Sequence, residues 1–299
     1  MSPRKRAARV HGVFNIDKPG GMTSHDVVDA VRRLVHERRV GHAGTLDPMA
    51  TGVLVVCVGQ ATRLIEFMVG HTKVYRFTIR LGEETDTYDA EGRVIRQMPV
   101  PPLTPERIRT TLQQFLGDIE QIPPRYAAVR YKGKRLYEWA RAGIDVQPEP
   151  RRVTIYALEL EAWSSPHLTL RVTCGAGTYV RSLAHDISQA LGTVGHVVAL
   201  RRLASGPFHV EDAVPLDTLL RAPDWRVYLL PMDIGLVDIP VVELTPVQVE
   251  DVRHGRPVRA LAPGKQPGEW RRAYGNGELI AMLQWDTERH QWRPRKVFI

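Results

Sequence analysis

The residues KVYRFTIRL, 73–81, decide how this chain folds. Aromatic or apolar side chains stand at Tyr75, Phe77, Ile79 and Leu81, with other residues between them. A period of two is the mark of a strand with one face in a core and the other outside, the habit of antiparallel sheets. Downstream, VTIYALELEAW (153–163) and HLTLRVTC (167–174) read as two further strands joined by an SSP turn. Upstream, VFNI (13–16) is a short strand, and VLVVCV (53–58) is an unbroken apolar run expected near the centre of the sheet. One more strand is expected near 196–203.

Helical spacing appears elsewhere. In TSHDVVDAVRRLVHER (23–38), Val27, Val28, Val31, Leu34 and Val35 fall on one face. Thr23 or Ser24 can cap that helix, and Asp26 suits its first turn. TPERIRTTLQQFLG (104–117) and TYVRSLAHDISQALG (178–192) are predicted helices, each closed by a glycine. Strands and helices do not alternate as regular βαβ units. The fold class predicted is therefore α+β: a mixed, mostly antiparallel sheet core flanked by helices. Beyond 240 the character changes. VVELTPVQVEDVRHGRPV (241–258) reads as a strand, a short helix and a Gly turn, and Asn276-Gly277 is a hairpin signal. Prolines around 231–240 mark a boundary near 238, followed by a small β-rich domain.

The chain has 299 residues, of which 43% are hydrophobic and 25% charged, an ordinary globular balance. Its two cysteines, Cys57 and Cys174, lie in apolar runs. Two thiols make neither a disulfide framework nor a four-thiolate zinc site, so a reducing cytoplasm is expected. No apolar run reaches membrane-spanning length, and MSPRKRAARVHG lacks the apolar core of an export signal. The net charge of +8 favours a polyanionic partner, although Arg4, Lys5, Arg6 and Arg9 supply half of it from a tail over 1–10 expected to be disordered. Within the fold, residues 125–152 carry eight Arg or Lys against three acids, interleaved with Tyr126, Tyr131, Tyr137 and Trp139. Cations for phosphates with flat rings for bases make a nucleic-acid surface; a solvated helix face with core aromatics has the same composition.

Several chemistries are excluded. There is no GxxxxGK[ST] loop, no HExxH, and no zinc-deaminase signature. GAGTYV (175–180) carries Val180 where a third Rossmann glycine would stand, and reads as a tight turn into a helix. The acidic stretch Glu83, Glu84, Asp86, Asp89, Glu91 lacks the order of a calcium loop and is expected to be a solvated turn. Cys57 reads as a buried structural thiol.

GHAGTLDPMATGVLVV (41–56) holds a single acid, Asp47, with no basic residue beside it. Asp-Pro is a common turn and helix-start pair. The other reading is a carboxylate held out of water beside a reacting centre, where its charge state can be tuned.

Six blocks, that stretch among them, carry a resemblance. NIDKPGGMTSHDVV, VGHAGTLDPMATGVLVVCVGQATRL, KVYRFTIRLGEETDTYDAEG, QIPPRYAAVRYKGKRLYEWAR and VTCGAGTYVRSLAHDI, with HVVALRRLASGPF, follow in order and spacing those of the tRNA pseudouridine-55 synthases. The chain thus resembles the bacterial branch of the B family of pseudouridine synthases over roughly residues 10–235. The resemblance implies a catalytic domain over 11–238, an RNA-clamping insertion over 125–150, and a PUA-like RNA-binding domain over 239–299. It implies that a uridine at position 55 of the tRNA T loop is isomerised: the N1–C1′ bond breaks, the uracil turns while bound, and C5 joins C1′. No cofactor and no metal are implied, and the partner is the tRNA T arm rather than a membrane; a monomer is expected.

By the same resemblance Asp47 is the nucleophile, and Arg181 is its distant charge partner. Without such a partner a buried carboxylate would lose its anion. Tyr75 stacks on the flipped uracil, with its phenol a candidate for moving the C5 proton. Tyr179 and Leu200 contact the base, and His42 fills the place the base vacates. Lys18 and Pro19 support the catalytic loop, and Asp89 hydrogen-bonds within the site. Two alternatives are a guide-RNA-dependent synthase and a non-catalytic tRNA-binding or folding module.

Overall fold

The computed structural model describes residues 10–127, 129–144, 146, 148–259 and 261–298, with the backbone alone described at 130, 135, 137 and 141. The basic tail expected over 1–10 lies outside the described residues, apart from Val10.

In chain order the first half holds β1 (Gly12–Lys18), α1 (Ser24–Val35), β2 (Val40–His42), β3 (Thr51–Val58), α2 (Ile65–Val69), β4 (Lys73–Leu81), β5 (Glu83–Thr85), β6 (Val94–Gln97), α3 (Pro105–Leu112), β7 (Gly117–Gln121), β8 (Arg130–Tyr131), β9 (Lys134–Arg135) and α4 (Leu136–Arg141). It continues through β10 (Arg151–Ser164), β11 (His167–Cys174), α5 (Val180–Ala190), β12 (Gly195–Ser205), β13 (Phe208–His209), β14 (Val214–Pro215) and α6 (Leu216–Arg221). Last come β15 (Val241–Glu243), α7 (Pro246–Arg253), β16 (Trp270–Gly275), β17 (Glu278–Asp286) and β18 (Gln291–Val297).

The large sheet runs β14-β1-β3-β12-β4-β11-β10-β7, with β2 beside β3 and β13 beside β12. It is mostly antiparallel; the β1–β14 and β3–β12 pairs are parallel. The seam between β3 and β12 is narrow, matching Arg201 with Thr51 and Arg202 with Gly52. Gly52 has φ +98°, and a Cβ there would stand 2.2 Å from the Arg202 carbonyl oxygen. Only glycine lets the two strands meet at this place.

One face of the sheet buries Phe14, Leu54, Tyr75, Phe77, Ile79, Val172 and Leu200 beneath α1, α3, α5 and α6. α1 forms where the spacing predicts: Thr23 and Asp26 make a reciprocal capping box, and Val27, Val28, Val31 and Val35 are buried. The other face buries Val13, Val53, Val55 and Cys57 against Leu64 and Met68.

The C-terminal residues form their own sheet, β15-β16-β17-β18, over a core that includes Val252, Leu283, Trp285 and Trp292. Asn276 and Gly277 both have positive φ, at +53° and +79°, as a tight hairpin requires. This unit packs on the main body. Phe67 meets Trp270 edge to face at 4.9 Å, and Arg63 donates to the Val297 carbonyl at 2.6 Å. The proline-bearing stretch 231–240 is packed as well: Leu236 is buried, and Asp233 accepts from Tyr274 and faces Arg272 at 3.5 Å. Among the described residues no helix is long and apolar enough to cross a membrane, and no group of three or more His, Cys, Asp or Glu is placed to hold a metal ion.

Candidate active site

The loop between β2 and β3 carries Asp47 at the open end of the β3–β12 seam. Its Asp-Pro pair opens a β-turn rather than a helix, with the Ala50 amide donating to the Asp47 carbonyl at 3.1 Å. The loop is anchored from several elements. Ser24 Oγ, in the first turn of α1, accepts from the Leu46 amide at 2.8 Å and donates to the Leu46 carbonyl at 3.1 Å. Lys18, at the end of β1, is buried and donates to the carbonyls of Pro19, Met22 and Pro48 at 2.8, 2.6 and 3.1 Å. From β12, Arg202 donates to the carbonyls of Gly44, Thr45 and Val53. The support expected of Lys18 is thus present in the geometry, and Arg202 adds a support the sequence did not single out.

Arg181, in the first turn of α5, comes from the other side. Its Nη2 lies 2.8 Å from Asp47 Oδ1, across 134 residues of sequence. Its Nη1 lies 3.1 Å from Asp89 Oδ2 and 3.2 Å from the Thr87 carbonyl, and Nη2 also reaches the Tyr126 carbonyl at 3.3 Å. The guanidinium is buried with Asp89, whereas the Asp47 side chain keeps 28% of its surface exposed. The acidic stretch is only in part the solvated turn predicted: Glu91 is exposed and Glu83 and Asp86 are half-buried, but Glu84 and Asp89 are buried. Asp89 is held inside by Arg181, whose charge and fork of donors need the Thr87 carbonyl and the Asp89 carboxylate, and Glu84 faces His185.

Burial pushes the Asp47 carboxyl above its usual range; Arg181 opposes that push, and Asp89 adds to it by repulsion. Burial lowers Lys18 to about 8, with Asp47 opposing. Burial also raises the phenol of Tyr75, against the pull of Arg202.

Tyr75 lies in β4 directly opposite Val172 of β11 and Arg202 of β12. Leu200 is buried opposite Phe77, two residues before Arg202 and on the same face. Tyr179 is the N-cap of α5; its amide donates to Gln121 Oε1 at 2.7 Å, and its carbonyl accepts from Gln121 Nε2 at 3.0 Å. Asp47 and Arg181 both act on its phenol, which burial raises. His42 closes β2, with a buried Nδ1 that has no hydrogen-bond partner among the described residues; burial and Arg202 lower its basicity. The structure thus brings Asp47 and Asp89 onto Arg181 and sets Tyr75 and Tyr179 within electrostatic reach of Asp47, while Leu200 lies beside them on β12 and His42 at the end of β2.

Residues 125–150 follow directly after this site. Their described part is the β8–β9 hairpin and α4, with Trp139 Nε1 donating to the Tyr131 carbonyl at 3.0 Å. Lys134 stands over the Trp139 ring at 5.1 Å and Lys132 over Tyr131 at 5.3 Å. Residues 128, 145 and 147 and the Tyr137 side chain are outside the described residues.

Residues 32–180 match the TruB family pseudouridylate synthase N-terminal domain, and residues 181–237 match the tRNA pseudouridylate synthase B C-terminal domain. A curated relative, the tRNA pseudouridine synthase B of Rhodospirillum rubrum, is 43% identical over 295 residues, covering 95% of this chain and 96% of its own. The protein of that name from Heliobacterium modesticaldum is 41% identical, covering 97% and 96%. Among solved structures, a Cbf5-Nop10-Gar1 complex contains a chain with TM-score 0.75 and 26% identity, covering all of this chain and 91% of that one. An H/ACA RNP bound to a substrate RNA containing 2′-deoxyuridine contains another, with TM-score 0.73, 26% identity and coverage of 96% and 85%.

Proposed function

The chain belongs to the TruB family of pseudouridylate synthases, and from that premise we propose how its site works on tRNA. The protein isomerises uridine in tRNA to pseudouridine. Its target is uridine 55 in the T loop, presented by the T arm. Asp47 is the nucleophile. The observation that carries this is the 2.8 Å contact between Arg181 and a carboxylate that is largely desolvated yet keeps 28% of its side-chain surface accessible. The anion is held ready without being sealed off.

The uridine leaves its stack to reach Asp47, because the loop is anchored and cannot travel to the base. His42 takes the vacated place. Tyr75 stacks on the uracil, with Tyr179 and Leu200 against its other sides. The N1–C1′ bond breaks, the ring turns, C5 bonds to C1′, and the proton that leaves C5 is balanced by one gained at N1. The Tyr75 phenol is the group proposed to move that proton. Arg181 favours the anion of Asp47 against the push of burial, and Lys18 holds its loop. Residues 125–150 close over the RNA, joined to the site through the Tyr126 carbonyl on Arg181. The catalytic domain spans 11–238, and a PUA-like domain over 239–299 adds backbone contacts. The enzyme works as a monomer in the cytoplasm and needs no cofactor.

The test is the purified chain on an unmodified tRNA transcript carrying tritium at uridine C5. Tritium release and a mapped pseudouridine at position 55 are expected. No release from free transcript, with release only when a guide RNA and partner proteins are added, would replace this reading by the guide-dependent one.

A further inference from the structure

Arg202 is a large, fully buried cation with no role in the scheme above. Its Nε donates to the Val53 carbonyl at 2.7 Å, its Nη2 to the Gly44 carbonyl at 3.0 Å and its Nη1 to the Thr45 carbonyl at 3.4 Å. These partners are main-chain carbonyls, so the guanidinium is hydrogen-bonded but not neutralised by them. Lys18, Lys73 and His42 all feel it as a repelling charge. Burying such a cation is costly. A planar fork of five donors in return fixes directions in space that a lysine cannot.

The directions it fixes are specific. In register Arg202 stands opposite Tyr75 on one side and Gly52 on the other. Its side chain reaches the Tyr75 phenol and the carbonyls at both ends of the loop bearing the carboxylate. Gly44 takes φ +129°, a backbone conformation that L side chains rarely adopt, which lets its carbonyl face Arg202. The neighbouring Arg201 takes the opposite face and holds Asp17 at 2.7 and 3.0 Å and Thr51 Oγ1 at 3.2 Å. The excursion from His42 to Gly52 is thus clasped by consecutive arginines of one strand.

Resting on the proposed isomerisation, we infer that Arg202 is a positioning residue for it. Its guanidinium locks the Gly44–Asp47 loop against the strand that carries Tyr75 and so sets the carboxylate relative to that ring. It acts through the backbone of the loop, whereas Arg181 acts on the carboxylate itself.

The experiment compares wild type, Arg202→Lys and Arg202→Met on a tRNA transcript, measuring single-turnover pseudouridine formation, tRNA affinity and amide hydrogen exchange. Arg202→Lys is expected to slow turnover by about tenfold or more, since small misplacements of reacting groups are expensive. Affinity should stay within about twofold, and the amides of Ala43 and Leu46 should exchange faster. Its penalty should shrink in a Tyr75→Phe background, which a general loss of stability would not produce. A folded Arg202→Lys with wild-type turnover, or one whose affinity falls in step with its rate, overturns the inference. If neither variant folds, wild-type exchange decides: protection of Ala43 and Leu46 near that of the core strands supports the clamp, and coil-like exchange overturns it. A wild type that makes no pseudouridine defeats the functional reading instead, and the exchange comparison still judges the clamp.

Discussion

Asp89 stands directly behind Arg181, 3.1 Å from the guanidinium that reaches Asp47 with its other arm. One cation thus serves two carboxylates. This explains why the Asp47 carboxyl is raised despite its ion pair: burial outweighs a partner that is shared.

Asp47→Asn should abolish tritium release while leaving tRNA affinity within about twofold. Because folding disfavours the Asp47 anion, its removal should not weaken the protein. The melting temperature should hold or rise, by about 1–2 °C, as expected where a site is stabilised less than it could be. A fall of several degrees would show that the carboxylate is there for the fold.

The rate of the bound complex should fall on the acid side at a pH above the usual carboxylate value of 3.8, because the raised group must be ionised. Asp89→Asn removes the repulsion, so it should move this limb to lower pH. An alkaline limb is expected near 8, where Lys18 loses a proton and one of its donors to the loop. For stability the sign is reversed from common acid denaturation: folding favours protonated Asp47, so this group withdraws stability as pH climbs above 3.8. Profiles of single-turnover rate for the wild type and Asp89→Asn check both limbs.

Arg181→Met should remove turnover and also destabilise, because it leaves Asp89 buried and unpaired. Breaking such a pair costs about 3 kcal/mol, which corresponds to roughly 6 °C in a chain of this size at roughly 2 °C per kcal/mol. Pairing it with Asp89→Leu should return most of the stability and none of the activity. Thermal melts of the single and double variants measure this.

Gly52→Ala should be among the most damaging small substitutions in the chain. The added Cβ would stand 2.2 Å from the Arg202 carbonyl oxygen in a backbone conformation that L residues avoid. A loss of at least about 3 kcal/mol is expected, with the β3–β12 seam opening and turnover lost. Denaturant titration together with exchange of the 51–58 amides would measure it.

The antiparallel frame was legible because its signals are local. The alternation from Lys73 to Leu81 became β4 residue for residue, α1 begins at the Thr23 cap, and Asn276-Gly277 turns the predicted hairpin. The parallel pairing of β3 with β12 was not legible, since it rests on a contact two residues long between segments about 150 positions apart. Of the site, the Asp47–Arg181 contact was anticipated only through the family resemblance. Nothing beside Asp47 announces Arg181, and nothing in the Arg201-Arg202 pair says which arginine points inward. The acidic stretch was misjudged for the same reason: its composition is that of a surface loop, and only the arrival of Arg181 from α5 gives Asp89 cause to be buried.

The loop bearing Asp47 is fastened by Lys18, Ser24 and Arg202, the last of which lies 155 positions after the acid it steadies. During synthesis the acid thus emerges well before the strand that fastens its loop. The loop can therefore take up this geometry only once β12 lies between β3 and β4.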